Sequence, residues 1–206
     1  MAEKANKVKF NLKNTHYALL TISENGTPTF GTPVPMPGSV SISLEANGEP
    51  ENFYADGGVY YVINNNCGYD GDLELDLIPE SFRTDILKET LDSKGVLIEN
   101  SEVELAAFAL LFEFDGDQKH IRHVLYNCSA SRPGIEGKTN EDSKEVQTEK
   151  LSLKAVPLAN GMVKAKTGNT TDATTYADWY KAVYVPAAES DAATQSAAKP
   201  AKSVKE

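Results

Sequence analysis

The sequence predicts a mainly β fold with a flanking helix, and three observations carry that expectation. Apolar and polar residues alternate in several short runs, turn-forming dipeptides punctuate those runs, and one segment between them switches to a helical period. A chain of 206 residues can bury one sizeable core, and nothing in its length requires a second domain.

The alternating runs come in order as Val8, Phe10 and Leu12; Val40, Ile42 and Leu44; Leu73, Leu75 and Leu77; and Phe108, Leu110, Phe112 and Phe114. Each reads as a strand, because side chains two apart share one face of a pleated chain. Six Asn-Gly or Asp-Gly dipeptides, starting at Asn25, Asn47, Asp56, Asp70, Asp115 and Asn160, mark tight turns where a positive φ costs little. The best-defined hairpin runs from Ala106 to Phe114, turns at Asp115-Gly116-Asp117, and returns along Ile121 to Cys128. Pro28, Pro33, Pro35 and Pro37 make their segment a connection or a sheet edge, since proline cannot donate to a central ladder.

Pro79 suits a first helical position, Glu80 suits the positive helix end, and Phe82, Ile86, Leu87 and Leu91 form one face, with Gly95 as the stop. A second helical stretch is expected from about Asp172 to Val183, where Tyr176, Trp179, Tyr180 and Val183 share a face that needs something to pack on. Residues Asn47–Asn66 and Pro133–Lys144 are polar, Gly- and Asn-rich or charged, and read as long projecting loops. Residues 1–185 then form one β domain. Residues 186–206, rich in Ala, Ser and Lys and without aromatics, form a disordered tail.

Composition narrows the function. A formal net charge of -10 argues against a surface built to neutralise phosphates. Cys67 and Cys128 lack any C-x-x-C spacing and read as reduced, packed side chains. The polar Met1–Lys9 start lacks a signal peptide's apolar region, and no window approaches the ~20 apolar residues of a membrane span, so synthesis and folding in the cytoplasm are expected. The three N-x-S/T triplets are chance matches in that setting.

Chemistry is sparsely signalled. His120 and His123, three apart on a strand, point to opposite faces and do not form a metal pair, while His16 has no carboxylate, Ser or Cys partner nearby in sequence. Asp70-Gly71-Asp72 and Asp115-Gly116-Asp117 do not continue into a calcium loop, and turn formation explains them. No nucleophile-elbow, zinc-protease, Walker A or dinucleotide motif is present, and no cofactor is indicated. The more specific feature is Asp72-Leu73-Glu74-Leu75-Asp76-Leu77, which puts three carboxylates on one strand face and three leucines on the other. Such a face is either an ordinary solvated surface or one that repels a polyanion.

Several segments read together carry a resemblance: Val8 to Asn14, Phe53-Tyr54-Ala55-Asp56-Gly57, Gly68 to Glu74, Gly95 to Asn100, Phe108 to Phe112, Val124 to Asn127 and Ala155 to Gly161. The chain resembles the phi13-type phage major tail proteins over about Lys4 to Val185. That resemblance implies the phage tail-tube fold, two packed antiparallel sheets in a sandwich or barrel with a flanking helix. It also implies closure into homo-hexameric rings stacked into a tube in the virion tail, assembled in the host bacterial cytoplasm around a tape-measure protein and joined to tail-end proteins. DNA would pass through without stable binding, and no catalytic residue, cofactor or membrane is involved. Asp72, Glu74 and Asp76 are expected to face the lumen, with Leu73, Leu75 and Leu77 in the core. The rival readings are a β-sandwich binding module on a virion or cell surface and, third, a hydrolase with an unrecognised site.

Overall fold

The computed structural model describes residues 4–139 and 144–186. Its strands in chain order are β1 (Lys9–Ile22), β2 (Pro28–Phe30), β3 (Val34–Pro35), β4 (Ser39–Asn47), β5 (Glu51–Ala55), β6 (Gly58–Ile63) and β7 (Gly68–Leu75). Helix α1 (Glu80–Asp85) follows, then β8 (Thr90–Leu91), β9 (Leu97–Ile98), β10 (Phe108–Gly116), β11 (Ile121–Ala130), β12 (Glu149–Ala155), β13 (Lys164–Lys166) and α2 (Ala173–Ala177). The fold is mainly β, as expected.

Nine strands form one antiparallel sheet in the order β2-β1-β10-β11-β12-β7-β4, with β3 attached to β1 and β13 to β11. The sheet curls until its ends meet. Thr15 of β1 accepts at its carbonyl from the Met36 amide (2.7 Å), and its hydroxyl accepts from Ser39 at the start of β4 (2.7 Å). The two layers that face one another are therefore two parts of one curved sheet. Bulges in β1 between Phe10 and Leu12 and between Lys13 and His16, with Asn11 and Asn14 at positive φ, supply part of the bend. They also break the alternation at Val8 and Phe10, both of which are exposed.

The inside of the curl holds the main core, formed by Tyr17, Leu73, Leu75, Phe108, Leu110, Phe112, Leu125, Leu151 and Leu153 together with α1. Phe82 of α1 meets Tyr17 and Phe108 edge-on, with ring centroids 5.2 and 5.3 Å away, the preferred arrangement for aromatic quadrupoles. The helix is shorter than its sequence pattern suggested. Lys88 adopts φ 60, a conformation that L-residues adopt at a cost and that ends the helix. Leu91 consequently lies in the β8–β9 ribbon and is exposed, and Gly95 serves that ribbon's turn instead of a helix stop.

The outer face of β1, β10 and β11 carries a second core of Ala18, Leu20, Ala109, Leu111, Val124 and Tyr126. The C-terminal segment covers it, which is where the aromatic face expected after Asp172 finds its partner. Asp172 caps α2 by accepting from the Thr174 and Thr175 amides (3.0 and 2.9 Å), and Trp179 is 2 % exposed. A buried ion pair fixes this cover. Glu113 is 1 % exposed and accepts from Asn14 Nδ2 (2.6 Å), Arg122 Nε (3.0 Å) and the Tyr180 hydroxyl (3.2 Å). The Arg122 guanidinium also lies 3.9 Å from the Tyr176 ring centroid and donates to the Tyr176 carbonyl. Burial, and then the Glu113 carboxylate, push the Tyr180 hydroxyl well above its ordinary pKa.

Several smaller expectations change. Asp70-Gly71-Asp72 is mid-strand and not a turn, and a Cβ on Gly71 would sit 1.9 Å from the Ser43 carbonyl oxygen, so the glycine permits β4 to approach. Cys128 is buried, with its thiol pushed up to about 12 by burial, but Cys67 is exposed and not packed. The proline segment contributes the short edge strands β2 and β3, as its composition required. Between β11 and β12, residues 133–139 have no regular structure and Ile135 is fully exposed. The expected disordered tail, from residue 187 onward, lies outside the described residues.

Candidate assembly surfaces

The acidic run lies on β7, between β4 and β12. Leu73 and Leu75 are fully buried, which turns Asp72 and Glu74 outward, as the period of two requires. Asp72 accepts from Ser152 (2.8 Å) and pairs with Lys150 (2.9 Å). Glu74 accepts from Ser41 (2.8 Å) and Thr148 (2.6 Å). The hydrogen bond from Lys150 holds the Asp72 carboxyl below its usual range, and that from Thr148, then Ser41, does the same for Glu74. Both are ionised at neutral pH.

The third rung does not continue the ladder. β7 ends at Leu75, Asp76 accepts from the Leu77 amide (2.6 Å) at a bend, and Leu77 is 69 % exposed instead of packing in the core. The ladder extends in the opposite direction. Asp70 shares the face of Asp72 and Glu74, and accepts from Asn47 (2.8 Å). The sequence contained that signal, since Asp70, Asp72 and Glu74 keep the period of two; reading Asp70-Gly71 as a turn concealed it.

The segment 47–66, expected to be a polar loop, is an antiparallel hairpin of β5 and β6 standing apart from the large sheet. Asp56 (φ 53) and Gly57 (φ 79) form its two-residue turn. Phe53, Tyr54, Tyr60 and Tyr61 are 56 %, 66 %, 71 % and 64 % exposed. Its apolar side chains are uncovered on both faces, although Phe53 and Tyr60 touch edge-on at 6.5 Å. An isolated two-stranded hairpin is marginal in water. This one is held at its base, where the Cys67 amide donates to the Asn47 carbonyl (2.9 Å) and Gly48 packs against the Asn65 backbone. The sequence marked it through the Asp-Gly turn and the run Val59-Tyr60-Tyr61-Val62-Ile63; the Asn-rich flanks drew attention away.

The histidines take separate places. His16 has its Nδ1 2.9 Å from the Asn14 carbonyl oxygen and its ring against Tyr180. His120 lies before β11, 2.6 Å from Asp115, whereas His123 stacks on Phe112 with the rings 3° from parallel. Among the described residues no group of three or more His, Cys, Asp or Glu is placed to hold a metal ion, and no helix is long and apolar enough to cross a membrane.

No family model matches the sequence, and no curated protein does. Similar solved structures include the tube-terminating cap of the anti-feeding prophage, determined by cryo-electron microscopy, at 9 % identity and a TM-score of 0.45 over 78 % of this chain and 93 % of that one.

Proposed function

We propose that this chain is the major tail tube subunit of a long-tailed bacteriophage, polymerising into stacked hexameric rings around a tape-measure protein and conducting DNA during ejection. The observation that carries the reading is the β5–β6 hairpin. A chain that buries Phe82, Phe108, Phe112, Tyr17 and Tyr126 leaves four aromatic side chains of one hairpin more than half exposed, and apolar surface of that kind marks an interaction site. The resemblance over residues 4–185 supplies the kind of partner, further copies of the chain and the tail-end proteins. The role is structural, without a catalytic step or cofactor, and its place is the virion tail after assembly in the host cytoplasm.

Asp72, Glu74 and Asp76 are assigned to the lumen in this reading, and Asp70 joins them. Repetition around each ring would present the same carboxylates to the passing duplex from all sides, and low-dielectric walls focus such a field. Negative-stain electron microscopy of concentrated purified protein tests the proposal. Rings or hollow tubes are expected; separate single particles at every concentration would instead favour a binding module.

A further inference from the structure

At the open end of the curled sheet lies a groove of about 380 Å³ between β4 and β7 on one side and β10 and β11 on the other. Its floor is apolar, with Ile42, Leu44, Phe112 and Leu125. Its rim is cationic. Lys9 lies 4.6 Å from the Phe114 ring centroid and Lys164 lies 4.2 Å from that of Tyr69, while no lining residue is acidic. Lys9 and Lys164 form no ion pair among the described residues, and Lys166 stands beside them on β13, opposite His123. In a protein with 30 acidic and 20 basic residues, such a cluster without a counter-charge is a surface awaiting an acidic partner.

The same chain carries a segment of the required chemistry. Residues 47–66 include Glu49, Glu51 and Asp56, no Lys, Arg or His, and the exposed aromatics Phe53, Tyr54, Tyr60 and Tyr61. Aromatic bodies match the apolar floor, and the carboxylates match the lysine rim. Within one chain the groove stays open while these aromatics remain in solvent, so a second molecule must bring the two together. We propose that the groove rimmed by Lys9 and Lys164, with Lys166 beside it on β13, receives the β5–β6 hairpin of a second copy of this chain. Donor and acceptor are then different patches on one molecule, a heterologous contact that propagates instead of closing as a two-fold dimer. The inference rests on the self-assembly reading above and assigns the receiving site.

Two variants separate the roles. An acceptor-blocked variant carries Lys9→Glu, Lys164→Glu and Lys166→Glu; a donor-blocked variant carries Tyr54→Ser, Tyr60→Ser and Tyr61→Ser. Thermal melts establish that each is folded, and Lys164→Glu alone serves if the triple change is not. Sedimentation velocity is run at a concentration where the parent chain assembles. Each variant alone should associate roughly tenfold or more weakly than the parent. Their mixture should form a one-to-one complex that does not grow, because one intact hairpin meets one intact groove. Adding Glu51→Lys and Asp56→Lys to the acceptor-blocked chain should restore association. Assembly of the acceptor-blocked chain at the parent's concentration would overturn the groove while leaving self-assembly standing. A parent chain that stays monomeric throughout would overturn both.

Discussion

The β10–β11 and β5–β6 pairs draw on similar aromatic and β-branched residues but end in opposite surroundings. On β10, Phe108, Leu110 and Phe112 point into the curl while Ala109 and Leu111 point to the C-terminal cover, so both faces are buried by the chain itself. On β5–β6, Phe53, Tyr54, Tyr60 and Tyr61 meet solvent. Strand propensity is therefore satisfied twice, but burial only once. The contrast separates residues that stabilise the subunit from residues available to a neighbour.

Truncation sharpens the comparison most on the buried side. Phe108→Ala removes a fully buried ring that meets Phe82 edge-on and should destabilise the monomer by about 3–5 kcal/mol in denaturant titration. Arg122→Ala strands the buried Glu113 carboxylate and is expected to cost a similar ~3–5 kcal/mol, loosening the C-terminal cover, which near-ultraviolet dichroism of Trp179 would report. On the exposed side, Tyr60→Ser with Tyr61→Ser should change monomer stability by no more than about 0.5 kcal/mol.

His123 gives an effect that depends on pH. Burial, followed by the neighbouring Lys166, Lys9 and Lys164, lowers its pKa from 6.5 to about 4. The folded chain holds the ring neutral while the unfolded chain protonates it, so this stability is complete above pH 6.5 and is lost as the pH falls towards 4. The melting temperature of the parent should fall across that window, and His123→Gln should flatten the fall. An unchanged slope would show that another group governs it.

The charged face of β7 is also expected to contribute little to stability. Asp72→Lys with Glu74→Lys replaces half-buried surface partners of Lys150, Ser152 and Thr148 and should leave the melting temperature close to that of the parent. In the assembled particle it should nonetheless create DNA retention that weakens steeply with salt, measurable by filter binding. No retention at low salt would place this face away from the channel.

Much of the β framework was legible from alternation, because β10, β11 and β7 have at least one face against the core and the period survives intact. The β1 bulges were not legible, since Asn11 and Asn14 adopt positive φ for the sake of curvature required by distant strands. The end of α1 escaped for a related reason. Leu91 fits the helical period, but Lys88 turns the chain before it is reached. The hairpin was hidden by the usual equation of loops with polarity: its flanks are Asn-rich and its centre is apolar, and its exposure becomes visible only once the large sheet is folded without it. At the acidic ladder the period was right and its frame was not, because Gly71 serves a close strand approach and not a turn.

Hydrogen exchange followed residue by residue before and after assembly tests the comparison at its centre. In the monomer, amides of β10 and β11 should be protected to the level of global unfolding and those of β5 and β6 should exchange through local opening. On assembly, β5 and β6 should show the larger gain in protection, from local opening towards the global level. Equal protection of the hairpin in both states, in a preparation that has visibly assembled, would contradict the proposal that it joins subunits.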